Sequence, residues 1–485
     1  MGLKVYNIDF LELSREKTFR FDFNFISFQN NYSIIEYYSF DDLFDIVIND
    51  KVDLKTIFEE DFYYVEISNV SKESDVFPIK LNFYNRTYEL ENYYKKIEKG
   101  DIINVSKNDI LISKVRPNLK KYILIDEIYD KYYYTSAFIH IRPKVLNKIF
   151  FYLFKTSLYK NLISISRQGK SYPTLKESDF HYLKFSKKYI DILINNESYI
   201  LDLIEPIENK IKSLKESIIP EQKIINEVFA RKFEFDDNLY NEFGKGMTAG
   251  TQIADNRTFK VFNTDFADFS KSDIMRFSTR FHNTPTKKLM NILNDIDTIK
   301  VKNIIFEYEK GIQPNYNTEG EIHVVKIQNL KNSYIDFNDS EYILEEEYNL
   351  ISDSKKLKYD DIILCVTGKI SLGKIDLYNY EEDAITTVDN FIIRIINYNK
   401  LFFVYFFRSI LGYFQMERDF TGTTNQIHLR WKEIENFKIP NIPLEKQQEM
   451  VDEIDNKIKE QQKINIQIEK ERNKIYDIIN SYINE

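Results

Sequence analysis

Two stretches of this chain carry an apolar stripe at alternating three- and four-residue spacing. The first runs Ile204, Ile207, Ile211, Leu214, Ile218, Ile225 and Val228, with Glu221 in one slot. The second runs Val451, Ile454, Ile458, Ile468, Ile475, Ile479 and Tyr482, interrupted by Gln461, Asn465 and Arg472. Such spacing makes one side of an α-helix apolar, and a lone helix would leave that side wet. The pattern predicts two long helices packed antiparallel as a coiled coil, the polar interruptions setting its register. Pro220 is expected to break or kink the first helix, since proline lacks an N–H and collides with the preceding turn. Pro206 is placed in that helix's first turn, where proline is tolerated.

Ahead of each helix the pattern changes. Residues 361–367 and 390–396 are short β-branched or apolar runs bounded by polar clusters, and so are 109–113 and 137–141. Apolar helical stretches, 150–165 and 401–416, follow. Strands and helices mixed in this way predict an α+β fold.

The two halves also match one another. Tyr64-Val-Glu-Ile-Ser-Asn-Val70 aligns with Val324-Val-Lys-Ile-Gln-Asn-Leu330 at an offset of 260. Asp109-Ile-Leu111 aligns with Asp361-Ile-Ile363, and Ile141-Arg142 with Ile393-Arg394, at an offset of 252. Gly169 falls near Gly422. Leu175, Asp179, Phe180 and Leu183 then meet Leu429, Glu433, Ile434 and Phe437 at 254. An ordered series of matches with small drifts is the signature of a duplication with loop insertions. The chain therefore divides into a first domain (1–188), a long helix (189–240), a linker (241–262), a second domain (263–442) and a second long helix (443–485). The expected architecture is α+β: two mixed α/β domains related by a pseudo-twofold and separated by the two helices. Gly244, Gly246 and Gly250, three of the twelve glycines, mark the joint as flexible.

Composition narrows the class. At 485 residues with 38 Phe and 35 Tyr, the chain can fill more than one core. One cysteine, Cys365, can form neither an internal disulfide nor a thiolate cage, which suits a reducing cytosol. The N-terminus does not read as a signal peptide, and the richest apolar run, 401–407, is far too short for a membrane span. A cytoplasmic location is expected. The net charge of −9 conceals a segregation: residues 107–188 hold 17 Lys/Arg against 6 Asp/Glu. A local positive field of this kind attracts phosphate while the acidic remainder aids solubility.

Catalytic signatures are missing. Gly368-Lys369 lacks the upstream glycine and following hydroxyl of a phosphate loop, and there is no dinucleotide turn. No two prolines are adjacent, so the Asn/Asp-Pro-Pro-aromatic tetrapeptide of amino-methyltransferases is absent. Five histidines, His140, His181, His282, His323 and His428, lack metal-ligand spacing. Nuclease-like acid-x-Lys triplets occur at Glu208-Asn-Lys210 and Asp455-Asn-Lys457, but both lie on the long helices and read as solvated faces. Cys365 reads as a small core hydrophobe. No catalytic residue, metal site or cofactor is assigned to the chain.

The segment Ile439-Pro-Asn-Ile-Pro-Leu-Glu-Lys-Gln-Gln-Glu-Met-Val-Asp-Glu-Ile454 resembles the I-P-x-P-P-L-x-E-Q-x-x-I motif that opens the conserved helix of type I restriction–modification specificity subunits. The glycine loop and short helix between Gly422 and Phe437, the repeated D-I-L elements and the overall length agree with that family. The sequence departs where Ile442-Pro443 replaces Pro-Pro, and where Asn195-Asn-Glu-Ser-Tyr199 stands in the first half's motif position. The first 60 residues also match the second half poorly. The resemblance implies a subunit that is not itself an enzyme. In that family two target-recognition domains read the halves of a split double-stranded DNA site, and the helices fix the gap. Two methyltransferase subunits carrying S-adenosylmethionine would bind it, and ATP- and Mg-dependent restriction or motor subunits would join them.

Side-chain chemistry suggests where DNA would touch. Lys114, Arg116, Lys120 and Lys121 follow a strand in the basic stretch. Arg167, Gln168, Lys170, Ser171 and Tyr172 form a polar loop whose Arg and Gln can make bidentate contacts to base edges. Thr423, Thr424, Asn425 and Gln426, with Arg430, occupy the equivalent place, and Lys369 and Lys374 would hold phosphates. Competing readings are a protein-interaction adaptor with duplicated domains and a coiled coil, an acidic inhibitor, and an enzyme with an unrecognised site.

Overall fold

The computed structural model describes residues 25, 27–28, 36–48, 52–57, 60–84, 86, 90–168, 172–236, 263–267, 277, 279–282, 284–332, 334–338, 340–368, 371–423 and 426–483. The fold is mixed α/β, with small sheets and long helices. It divides into two compact units, Met1–Ser217 with Asn465–Glu485, and Ile218–Ile464.

The first unit holds β1 (Tyr37–Ser39), β2 (Phe44–Ile46), β3 (Phe62–Val65), β4 (Ile79–Leu81), β5 (Ile110–Ser113), β6 (Tyr122–Leu124), β7 (Tyr133–Tyr134), β8 (Phe138–Pro143), β9 (Arg167–Gln168), β10 (Pro173–Thr174) and β11 (Lys184–Ser186). Its sheets run β2-β8-β5-β6 and β4-β3-β7, with ribbons β1-β11 and β9-β10. The second unit holds β12 (Thr298–Lys300), β13 (Ile305–Lys310), β14 (Ile322–Val325), β15 (Glu341–Ile343), β16 (Asp361–Cys365), β17 (Ile375–Tyr378), β18 (Ala384–Thr386), β19 (Asn390–Ile395), β20 (Thr421–Thr423), β21 (Gln426–His428) and β22 (Lys438–Pro440). Its sheets run β13-β19-β16-β17 and β15-β14-β18, with ribbons β12-β22 and β20-β21. The strand order is the same in both units, including one parallel pair in each small sheet, β3 with β7 and β14 with β18. The sequence matches thus fall on equivalent strands.

The central strands are apolar without alternation because both faces are covered. In β16, Ile362 and Leu364 pack into a cluster with helical Phe402 and Phe406, while Ile363 and Cys365 pack with Val325 and Leu330 on the small-sheet side. Side chains alternate across a strand, so two covered faces require apolar residues at every position. In the first unit Leu111 of β5 meets Val65 and Tyr134 in the same manner.

Each apolar helical stretch is two helices: α1 (Asn147–Lys155) and α2 (Tyr159–Ile165) in the first unit. The long helix that follows, α3 (Lys187–Glu216), ends before Pro220, which caps α4 (Glu221–Lys232). The expected break at Pro220 is therefore present, and the first long helix is two segments. The position of Pro206 needs correcting. Because α3 begins at Lys187, Pro206 lies in its interior, not its first turn. Its ring removes the bond to the Asp202 carbonyl; both residues are exposed, a setting in which solvent can satisfy that group. In the second unit the corresponding pair is α5 (Lys400–Arg408) and α6 (Ile410–Asp419). Beyond it, α7 (Leu444–Ser481) is a single helix of 38 residues.

The stripes do find partners. Within the second unit Ile224, Ile225, Val228 and Phe229 share a core with Met450, Val451 and Ile454. There Ile219 N donates to Gln461 Oε1 (2.9 Å) and Arg231 pairs with Glu453, so α4 and this part of α7 run antiparallel. Within the first unit Ile204 and Ile211 of α3 are buried, as are Ile468, Ile475 and Ile479, and Lys210 meets Glu471 at 2.7 Å. Ile218 falls between the helices and Asn465 is exposed. The linker 241–262, with its three glycines, lies outside the described residues.

Candidate nucleic-acid interface

In the first unit the backbone joins the two candidate loops. Val115 bridges Thr174, Arg116 N donates to the Pro173 carbonyl (2.9 Å), and Leu175 N donates to the Lys114 carbonyl (2.8 Å). Residues 114–116 thus extend the β9-β10 hairpin by a third strand. The second unit repeats the arrangement: Thr367 bridges His428, Gly368 N donates to Ile427 (3.1 Å), and Leu429 N donates to Val366 (2.9 Å). Gly368 adopts φ +77 there, a value glycine reaches without strain. Lys114, Arg116, Arg167 and Tyr172 are therefore neighbours, as are Thr367, Gly368 and strand β21. Lys170, Ser171, Lys369, Thr424 and Asn425 lie outside the described residues. Gln168, Thr423 and Gln426 are placed by their strand backbones at the hairpin ends.

Several predicted contacts are already engaged within the protein. Arg167 clasps Asp179, whose side chain is fully buried, with Nη2 2.7 Å from Oδ1. The second unit places Glu433 at the equivalent position and neutralises it from a different residue, Arg430, with Nη2 2.8 Å from Oε1. Each acid also caps a short helical turn, accepting from Lys176 N (2.9 Å) or Arg430 N (3.1 Å). Lys114 pairs with Glu177 (2.7 Å) and donates to the Ser136 carbonyl (2.9 Å). Lys120 donates to the Lys155 carbonyl (3.0 Å) and lies 4.0 Å from the Tyr159 ring centroid.

Lys121 and Lys374 hold equivalent posts. Lys121 Nζ donates to the Ile67 carbonyl at 3.0 Å, and Lys374 Nζ to the Ile327 carbonyl at 3.1 Å. Burial holds both ammonium groups below the usual lysine range. Each therefore braces the turn after β3 or β14. Arg116 differs: it is exposed, and its guanidinium lies 5.3 Å from the centroid of the Tyr172 ring.

Other repeated contacts were not anticipated from sequence. Arg142 Nε donates to Asp109 Oδ1 at 2.7 Å and Nη2 to Oδ2 at 2.9 Å; Arg394 grips Asp361 in the same way at 2.8 Å each. His140 Nε2 lies 2.6 Å from Asp109 Oδ2. The matched Asp109/Asp361 and Arg142/Arg394 of the sequence repeat were the available signal. The acid-x-Lys triplets also have structural work. Tyr152 and Lys148 bind Glu208, and Tyr405 binds Asp455, joining each domain to a long helix. Cys365 is buried in the core, and burial pushes its thiol up to about 12. Among the described residues no cluster of His, Cys, Asp or Glu could hold a metal ion, and no helix is long and apolar enough to cross a membrane.

No protein-family model matches the sequence. No curated protein does so either. Three solved structures align over 93% of this chain. One, reported for complex assembly and conformational transition of a type I restriction–modification system, is 13% identical, with 98% of its chain covered and a TM-score of 0.40. The HsdS subunit from Thermoanaerobacter tengcongensis is 14% identical, 98% covered, with a TM-score of 0.30. The type I restriction–modification S subunit from M. genitalium is 14% identical, 97% covered, with a TM-score of 0.35.

Proposed function

We propose that this chain is a DNA specificity subunit of a type I restriction–modification complex. Its two recognition domains, 1–188 and 263–442, each read one half of a bipartite double-stranded target. The helical segments 189–240 and 443–485 set the gap, and the helices present surfaces to two methyltransferase subunits and to restriction or motor subunits. Chemistry, with S-adenosylmethionine, ATP and Mg, belongs to those partners in the cytoplasm, and this chain makes and breaks no bonds.

One observation carries the reading: the same hairpin-plus-loop apparatus occurs once in each unit, at equivalent points of the same strand order. A reader of two unlike half-sites needs one scaffold twice, with different side chains at each tip. The tips do differ, since Arg116, Arg167 and Tyr172 stand where the second unit has Gly368 or its neighbours, Thr421 and Gln426. The repeat also supplies two similar faces on which two copies of one partner could sit.

The test is co-expression with type I methyltransferase and restriction subunits, followed by genome-wide mapping of methylated adenine. The expected result is methylation at one split motif with a fixed gap, absent without this chain. A stable complex that methylates no motif, or DNA modification by the purified chain alone, would refute the proposal.

A further inference from the structure

Resting on that reading, we propose that Arg116, steadied by Tyr172, reads a guanine in the major groove for the first unit's half-site. Four features support it. The backbone of Arg116 is left-handed (φ 51, ψ 54) at the start of a short turn, Pro117–Leu119. Large side chains rarely adopt that conformation, and such residues persist where their surroundings fix them and cluster at working sites. The surroundings here do fix it. Arg116 N is bonded to the Pro173 carbonyl, Leu119 N returns to the Arg116 carbonyl (2.9 Å), and buried Tyr122 locks the turn through its hydroxyl to the Pro117 carbonyl (3.0 Å).

The neighbouring cations are engaged elsewhere: Arg167 by Asp179, Lys114 by Glu177, Lys120 by the Lys155 carbonyl and Lys121 by the Ile67 carbonyl. Among the described residues Arg116 has no ion pair, and its guanidinium lies against the Tyr172 ring. A cation–π contact restrains the guanidinium without consuming an N–H donor. Finally, a planar fork of donors matches O6 and N7 of guanine, the commonest specific arginine contact in the major groove. A restrained fork loses less entropy on binding than a free one.

The test uses the assembled complex with Arg116→Gly, because glycine takes positive φ without strain and the fold should keep or raise its melting temperature. Mapped adenine methylation should lose preference at one G·C pair of one half-site by roughly 5- to 150-fold, with the other half-site and the gap unchanged. Tyr172→Phe should retain that preference, whereas Tyr172→Ala should weaken it at the same pair. An unchanged motif in Arg116→Gly would overturn the assignment, as would a uniform loss at every position, the mark of a phosphate contact. If the wild-type chain directs no motif, the specificity-subunit reading fails and this assignment with it. If the wild type does and Arg116→Gly keeps the whole motif, only this assignment fails.

Discussion

Arg167 holds Asp179 by two nitrogens at once, Nε 3.0 and 3.1 Å from the two carboxylate oxygens and Nη2 2.7 Å from Oδ1. The carboxylate is fully buried and the guanidinium mostly so. Removing one member of a buried ion pair takes that countercharge from the other, at a cost of about 3 kcal/mol. Arg167→Ala should therefore lower stability by that order, read by chemical denaturation. A variant that keeps wild-type stability but loses a base preference would instead make Arg167 a direct reader.

The lysine braces permit a second test. Lys121→Met and Lys374→Met should each cost about 1–2 kcal/mol, because a backbone carbonyl loses its charged donor. The salt dependence of DNA binding by the complex should not change. A slope reduced by about one in log–log form would place that lysine on a phosphate.

Asp376 gives a pH prediction. It is buried in β17, and its Oδ2 has no hydrogen-bond partner among the described residues. Burial raises its carboxyl to about 7, against a partial opposing pull from Arg408. The folded chain thus keeps this proton where the unfolded chain, near 3.8, has lost it. The unfolded state binds fewer protons in that window, so stability falls as pH rises from about 4 to about 7 and then levels. The full effect is of order 4 kcal/mol. Asp376→Asn should flatten the fall and be more stable than wild type at pH 7–8 in denaturant melts. Lys155, buried and lowered to about 7, acts in a separate window above that value. An Asn variant with the same pH slope as wild type would contradict this account.

Helix length should set the gap if the proposed function holds. Matched four-residue insertions inside α3 after Ser213 and inside α7 after Gln467 add about 6 Å of helix. The methylated motif should keep both half-sites and gain about one or two base pairs between them. Changed half-sites would contradict the spacer role.

Periodicity and self-similarity make the helices and the repeat legible in the chain itself. The stripe through Val451, Ile454, Ile468, Ile475 and Ile479 marks a helical face, and all five are buried. The matches at Asp109/Asp361 and Arg142/Arg394 placed equivalent strands in both halves. Pro220 ended a helix because its effect is local and covalent. Pro206 was misplaced because a helix start depends on what precedes it: α3 runs straight out of β11 with no cap signal near 206.

The duplicated fold is legible along the chain, since the spacing of apolar residues and the repetition of short motifs are local, linear patterns. What each cation does depends on contacts made far away along the chain. Lys121, Lys374 and Arg167 look identical in sequence to free DNA-facing charges, yet each is matched to an acceptor 12 to 54 positions away. The free energy of a charge is set by whichever partner and burial the fold brings to it, and no local pattern encodes that. Arg116 stands apart for the same reason: its turn holds it outward, beside Tyr172.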